Sequence, residues 1–194
     1  MKLDRFYPIF DDSSWLKRLL PLGIKLVQLR VKDKSVNNVR EQLIHAKELC
    51  ETYDATLIVN DYWELAIELR CDWVHLGQED LDEADVSALK KRGIKLGLST
   101  HDQDELDRAL TFDPEYIALG PVYPTILKKM KWHEQGLPRV TEWKKYIRGI
   151  PLVAIGGMTV ERTAGVFEAG ADIISVVTDI TLNKSPETRV KSWI

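Results

Sequence analysis

The sequence predicts an α/β fold, a compact (β/α)8 TIM barrel forming a single domain over residues 1–194, and three observations predict it. Eight short apolar runs alternate with amphipathic stretches along the whole chain, the pattern of right-handed βαβ units. Most of these runs are of near-continuous apolar character, as suits parallel strands covered on both faces by helices or core. The chemically unusual residues gather just after the strands, at the end where such a barrel carries its active site. A doubly wound open sheet is the alternative if the first and fifth runs, the two weakest, are not strands.

The elements follow in order. A strand over Arg5–Phe10 leads into Asp11, Asp12, Ser13 and Ser14, which can cap a helix over Trp15–Leu20. After a strand over Ile24–Leu29, Ser35 opens a long amphipathic helix over Val36–Thr52. Strands over Thr56–Val59, Trp73–Leu76, Lys95–Ser99 and Tyr116–Leu119 precede helices over Trp63–Leu69, Ala84–Arg92, Asp104–Leu110 and Val140–Ile147. Leu152–Ile155 and Ile173–Val177 complete the strands, with helices over Val160–Glu168 and Pro186–Trp193. The connection Gly120–Arg139 is out of scale and lacks periodicity, so a functional lid is expected over the mouth.

Lys and Arg number 27 against 30 Asp and Glu, a net charge of −3, which excludes a basic nucleic-acid binder. No apolar run approaches the roughly 20 residues that span a bilayer. Lys2, Asp4 and Arg5 interrupt any signal-peptide pattern, so a cytoplasmic location is expected. Cys50 and Cys71 make neither a disulfide framework nor a zinc set and are read as reduced structural thiols.

Past the second strand, alternation points Gln28, Arg30 and Lys32 to one side, and inward cations need an anionic partner. The third and fourth strands deliver Asn60-Asp61 and Gln78-Glu79-Asp80. Asp61 with Asp80 suits Mg²⁺ shared with substrate phosphates, although Asn-Asp is equally a helix cap. His75 reads either as a hydrogen-bonded core histidine or as a metal ligand. Ser99, Thr125 and Lys128 add hydroxyls and a cation. Gly156-Gly157 with Thr178 stands where barrels often bind a phosphate, although a tight turn needs the glycines equally. The inventory is two anion sites and one divalent-cation site. There is no nucleophile–base pair, Rossmann fingerprint or Walker loop. The chemistry is therefore positioning and charge stabilisation.

Over nearly its whole length the chain resembles the thiamin-phosphate synthase family. The motifs are Gln28-Leu29-Arg30-Val31-Lys32, Val59-Asn60-Asp61, Val74 to Asp80, Gly97-Leu98-Ser99, Gly120 to Thr125 with Lys128, Gln135-Gly136, Ile155-Gly156-Gly157 and Val177-Thr178. The resemblance implies a transferase that joins an aminopyrimidine diphosphate to a thiazole phosphate with loss of pyrophosphate. In it, Gln28, Leu29, Arg30, Val31, Lys32, Asn60, Ser99 and Lys128 hold the pyrimidine diphosphate, with Arg30, Lys128 and Ser99 catalytic. It implies Asp61 and Asp80 for Mg²⁺, and Thr125, Ile126, Leu127, Gly157, Val177 and Thr178 for the thiazole phosphate. It further implies a dissociative reaction in which pyrophosphate leaves before the thiazole nitrogen attacks. Lys128→Ala should then keep the fold and lose turnover.

The chain departs from that pattern at Leu127, where Thr is common, at Thr178 for a usual Ser, at Asp179 for a small residue and at Tyr62 for an Arg. An extra carboxylate at 179 is unfavourable beside a phosphate unless paired or turned away. The competing readings are a thiazole tautomerase, a non-catalytic binder of thiamin intermediates, and a phosphate-binding barrel acting on another metabolite. Small phosphorylated substrates are the expected partners, with no nucleic acid or membrane; homo-oligomer formation is left open.

Overall fold

The computed structural model describes residues 3–126 and 132–194. Eight strands run β1 (Phe6–Phe10), β2 (Leu26–Leu29), β3 (Thr56–Asn60), β4 (Trp73–Leu76), β5 (Lys95–Thr100), β6 (Tyr116–Leu119), β7 (Leu152–Ile155) and β8 (Ile173–Val176). All pair in parallel in chain order, and β8 closes on β1 with Tyr7 opposite Ser175. The barrel is closed, so the open-sheet alternative falls. The first and fifth strands are both present.

Period-2 alternation divides the strand residues between two cores. Leu26, Ile58, Trp73, Ala118, Val153 and Ile173 pack with Tyr7 and Tyr116 inside the barrel. Their neighbours, among them Phe6, Leu29, Val59, Leu98 and Leu152, face the helices together with Leu16, Leu43, Leu106 and Trp143. Each fully buried Leu or Ile contributes roughly 2 kcal/mol of transfer free energy, and dozens of such residues hold the strands in place. Tyr116 fits inside only because residue 97, opposite it, is glycine: a Cβ there would lie 1.9 Å from the Tyr116 ring.

The helices are α1 (Ser13–Leu19), α2 (Val36–Thr52), α3 (Trp63–Glu68), α4 (Gln78–Glu83), α5 (Val86–Lys91), α6 (Gln103–Leu110), α7 (Gly136–Ile147), α8 (Thr163–Glu168), α9 (Thr178–Thr181) and α10 (Pro186–Trp193). Asp12, Ser35 and Asp102 cap α1, α2 and α6 through their side-chain oxygens. Three expectations need correction. The predicted helix over Ala84–Arg92 is shorter: Ala84 is extended, and Asp85 starts α5 by accepting from the Ala88 amide. The stretch over Val160–Glu168 begins as a 3₁₀ turn, Val160–Arg162. The long connection ends sooner than Arg139, because the Gln135 and Gly136 amides bind the Pro121 and Val122 carbonyls and start α7 there. Pro138 sits in that first turn, where its missing N–H costs nothing. Among the described residues, no helix is long and apolar enough to cross a membrane.

Candidate active site

Strands β2 to β5 deliver the first half of the site from adjacent C-terminal ends. Asp61 leaves β3 at φ +64°, a left-handed turn that Asp tolerates, while its amide donates to the His75 carbonyl at 3.0 Å. The turn presents its carboxylate to Lys32, whose ammonium pairs with it. Asp80, in the first turn of α4, accepts the Gly77 amide at 3.1 Å and stands beside Asp61. Partial burial, and then the neighbouring Asp61 charge, hold the Asp80 carboxyl above the usual carboxylate range. Two carboxylates forced together in this way gain from a divalent cation. Among the described residues they have no third Asp, Glu, His or Cys to enclose one. That donor set fits Mg²⁺, which keeps waters and shares substrate oxygens.

Arg30 is exposed at the rim and forms no ion pair with a described residue. Its charge nonetheless reaches His75, as does that of Asp61. Leu29 and Val31 are buried in the layer beneath the helices, so only their backbone is available to the mouth. Gln28, Asn60, His75 and Ser99 face the barrel interior. Gln28 Nε2 donates to Tyr7 Oη at 2.6 Å, and Tyr7 Oη meets Tyr116 Oη at 2.9 Å. Tyr116 Oη lies 2.8 Å from His75 Nδ1, and His75 Nε2 lies 2.7 Å from Ser99 Oγ. Burial pushes the His75 pKa down to about 4, overriding the nearby Asp61, and both tyrosines upward. His75 is therefore a hydrogen-bonded interior histidine. The Gln78 side chain donates to the Ser99 carbonyl at 2.8 Å and fixes that strand end. Asn60 Nδ2 and Ser175 Oγ, with Trp73 Nε1 and Trp143 Nε1, are the four buried side-chain polar atoms without a partner among the described residues.

The second half lies across the same mouth, on β6 to β8. Val122 and Tyr123 amides bind the Ile155 and Gly156 carbonyls at 2.9 and 3.1 Å, which zips the loops after β6 and β7 together. Gly157, at φ +61°, sits so close to this seam that a Cβ would lie 2.5 Å from the Pro124 carbonyl oxygen. Thr125 and Ile126 continue the same loop, Ile126 being 81% exposed. Arg162 binds the Gly157 carbonyl and stacks on Tyr123 at 4.3 Å, which adds a cation to this side. Val177 and Thr178 begin α9 beside it. The extra carboxylate, Asp179, is turned away and held by Arg189 and Trp193. Leu127 and Lys128 lie outside the described residues, so the structure says nothing of their predicted roles.

The structure thus brings Gln28, Arg30, Lys32, Asn60, Asp61, Asp80 and Ser99 to one mouth, with Gly157, Val177 and Thr178 at the same end of neighbouring strands. Sequence reasoning missed Tyr7, Tyr116, Ser175 and Arg162. The inward register of Tyr7 and Tyr116, opposite small Ser175 and Gly97, is the signal that could have found the first three; Arg162 has none in the sequence. Trp132 stacks on His101 with ring centroids 4.0 Å apart, which fastens the residues just before α7 to the β5 loop.

The fold and this rim define a (β/α)8-barrel enzyme built for phosphorylated ligands. Residues 7–180 match the family model described as thiamine monophosphate synthase. The chain is 54% identical to a thiamine-phosphate synthase of Rhizobium etli, over 100% of this chain and 95% of that one. It is 46% identical to one from Salmonella newport over 90% of this chain and 83% of that one. A solved thiamine phosphate pyrophosphorylase from Pyrococcus furiosus superimposes with a TM-score of 0.85 at 24% identity, covering 97% of this chain and 92% of that one, a likeness of fold. The chain belongs to the thiamine monophosphate synthase family and is an enzyme of thiamin biosynthesis.

Proposed function

We propose that the chain joins an aminopyrimidine methyl diphosphate to a thiazole phosphate, forming thiamin phosphate and releasing pyrophosphate. The observation that carries this reading is the arrival of Arg30, Lys32, Asp61, Asp80 and Ser99 from four successive strand ends at one mouth. Cations, a carboxylate pair and a hydroxyl together suit a diphosphate. Asp61 and Asp80 would hold Mg²⁺, which when bound offsets charge on the diphosphate oxygens.

As the bond to the pyrimidine methylene breaks, the departing pyrophosphate gains negative charge. Arg30, Ser99 and Lys128 then bind it more strongly than they bind the substrate, which lowers the barrier. Lys32 pairs with the Asp61 carboxylate and would be available to the diphosphate were a cation held there. Asn60 Nδ2 supplies a buried donor with no partner among the described residues, ready for the diphosphate or the ring it carries. On the far side, Gly157 offers a close backbone approach and Thr178 a hydroxyl for the thiazole phosphate, with Thr125 and Ile126 on the adjoining loop. The thiazole nitrogen then closes the new C–N bond. A cytoplasmic location belongs to the same reading, since multiply charged phosphates stay on the side of the membrane where they are made.

The test is incubation with both phosphorylated substrates, with and without Mg²⁺, following pyrophosphate release. Release that needs both the second substrate and the metal is expected. Isomerisation of the thiazole phosphate alone, without metal, would instead assign a tautomerase.

A further inference from the structure

We propose that His75 is a positioning residue for Ser99, and that the interior chain Gln28–Tyr7–Tyr116–His75–Ser99 has one polarity, which leaves the Ser99 proton free to point at the departing anion. The inference rests on the diphosphate reading of the mouth and adds how the hydroxyl is aimed.

Gln28 Nε2 can only donate, so Tyr7 Oη accepts from it and must place its own hydrogen elsewhere. Tyr116 Oη, 2.9 Å away, is the other partner of Tyr7 among the described residues. Tyr7 therefore donates to Tyr116, and Tyr116 donates onward to His75 Nδ1 at 2.8 Å. A ring nitrogen that accepts carries no proton, so the imidazole is the Nε2–H tautomer. Nε2–H then donates to Ser99 Oγ across 2.7 Å.

With its oxygen occupied from behind, Ser99 has its proton left for the mouth. Running the chain backward leaves the Tyr7 hydrogen buried without an acceptor among the described residues, an arrangement native interiors avoid. The ligand end demands the same direction, because ionised phosphate oxygens accept hydrogen bonds and donate none. Gln28 at one end and an anion at the other thus select one arrangement. Gly97 supports it: any side chain there would displace the Tyr116 ring that relays the bond. His75 does not touch the reacting atoms in this scheme.

Nitrogen-15 NMR of the full-length protein labelled at histidine reads the tautomer directly, through two-bond proton correlations. A His75 ring protonated at Nε2 alone is expected; protonation at Nδ1 overturns the proposal. The kinetic arm is a double-mutant cycle. Ser99→Ala should lower kcat about a hundredfold. His75→Phe should lower kcat about tenfold in the wild-type background and leave it unchanged in the Ser99→Ala background. Equal losses in both backgrounds would mean that His75 acts by packing alone, and would sink the idea. His75→Gln, which retains a donor near Nε2, should recover most of the rate; if His75→Phe fails to fold, this variant and the spectrum decide. Wild-type turnover by Ser99→Ala would fail the functional reading of Ser99, while the tautomer result would stand on its own.

Discussion

Arg189 grips Asp179 in a two-pronged ion pair, Nε to Oδ2 at 2.7 Å and Nη2 to Oδ1 at 2.8 Å. This grip is what allows a carboxylate to follow directly on Thr178 at the rim. The same guanidinium reaches Glu161, and Trp193 Nε1 adds a third bond to Asp179 at 2.9 Å. The pair fastens α10 to α9, just after β8.

Arg189→Ala should therefore do two things. It leaves a mostly buried carboxylate without its cation and should destabilise the protein by about 3 kcal/mol, read by urea unfolding. It also frees negative charge beside Thr178 and should raise the KM for the thiazole phosphate. Arg189→Ala with Asp179→Asn should recover much of both losses.

The carboxylate pair makes a prediction of opposite sign. Raised by burial and by Asp61, Asp80 holds its proton better in the folded chain than in the unfolded one. Its ionised form therefore opposes folding above the ordinary carboxylate range, and that penalty fades as pH falls through the raised value. In metal-free buffer at pH 7, Asp80→Asn should melt slightly higher than wild type. Mg²⁺ should stabilise wild type and not the variant, while turnover by the variant should be largely lost. A melting point unmoved by Mg²⁺ in both proteins would take Asp80 out of the metal site.

Gly97→Ala tests the interior. The new methyl meets the Tyr116 ring well inside contact distance, with β4 and β6 hemming the ring in. A loss of about 3 kcal/mol or outright failure to fold is expected from thermal melts. Ala at the neighbouring, helix-facing Leu98 should also cost about 3 kcal/mol, but by leaving a cavity and without disturbing the Tyr116 hydroxyl.

The two thiols should be chemically quiet. Both are buried and unpaired, and burial pushes Cys50 up to about 12 and Cys71 up to about 11. Little thiolate exists at pH 8, so iodoacetamide should modify neither cysteine on the timescale of an ordinary labelling assay. In urea both should react at once.

Much of this molecule was legible in the chain. Apolar runs such as Ile24–Leu29 and Leu152–Ile155 announce strands covered on both faces, and Asp12 and Ser35 announce helix starts, because these signals are local. The rim residues were legible for the same reason: Arg30, Asp61, Asp80 and Ser99 follow strands, and a parallel barrel sends all strand ends to one mouth. Short elements such as α4 and α9 were not, since so few residues carry no periodicity.

By itself the sequence determined the barrel, the end at which the chemistry sits and the residue types gathered there. Only the tertiary structure decided which of those groups touch. Tyr7 and Tyr116 are 109 residues apart yet 2.9 Å apart at their hydroxyls, and Asp179 is neutralised from α10. Such pairings depend on strand register and on the space left by Gly97, which are settled when the sheet closes and not by any local stretch of chain.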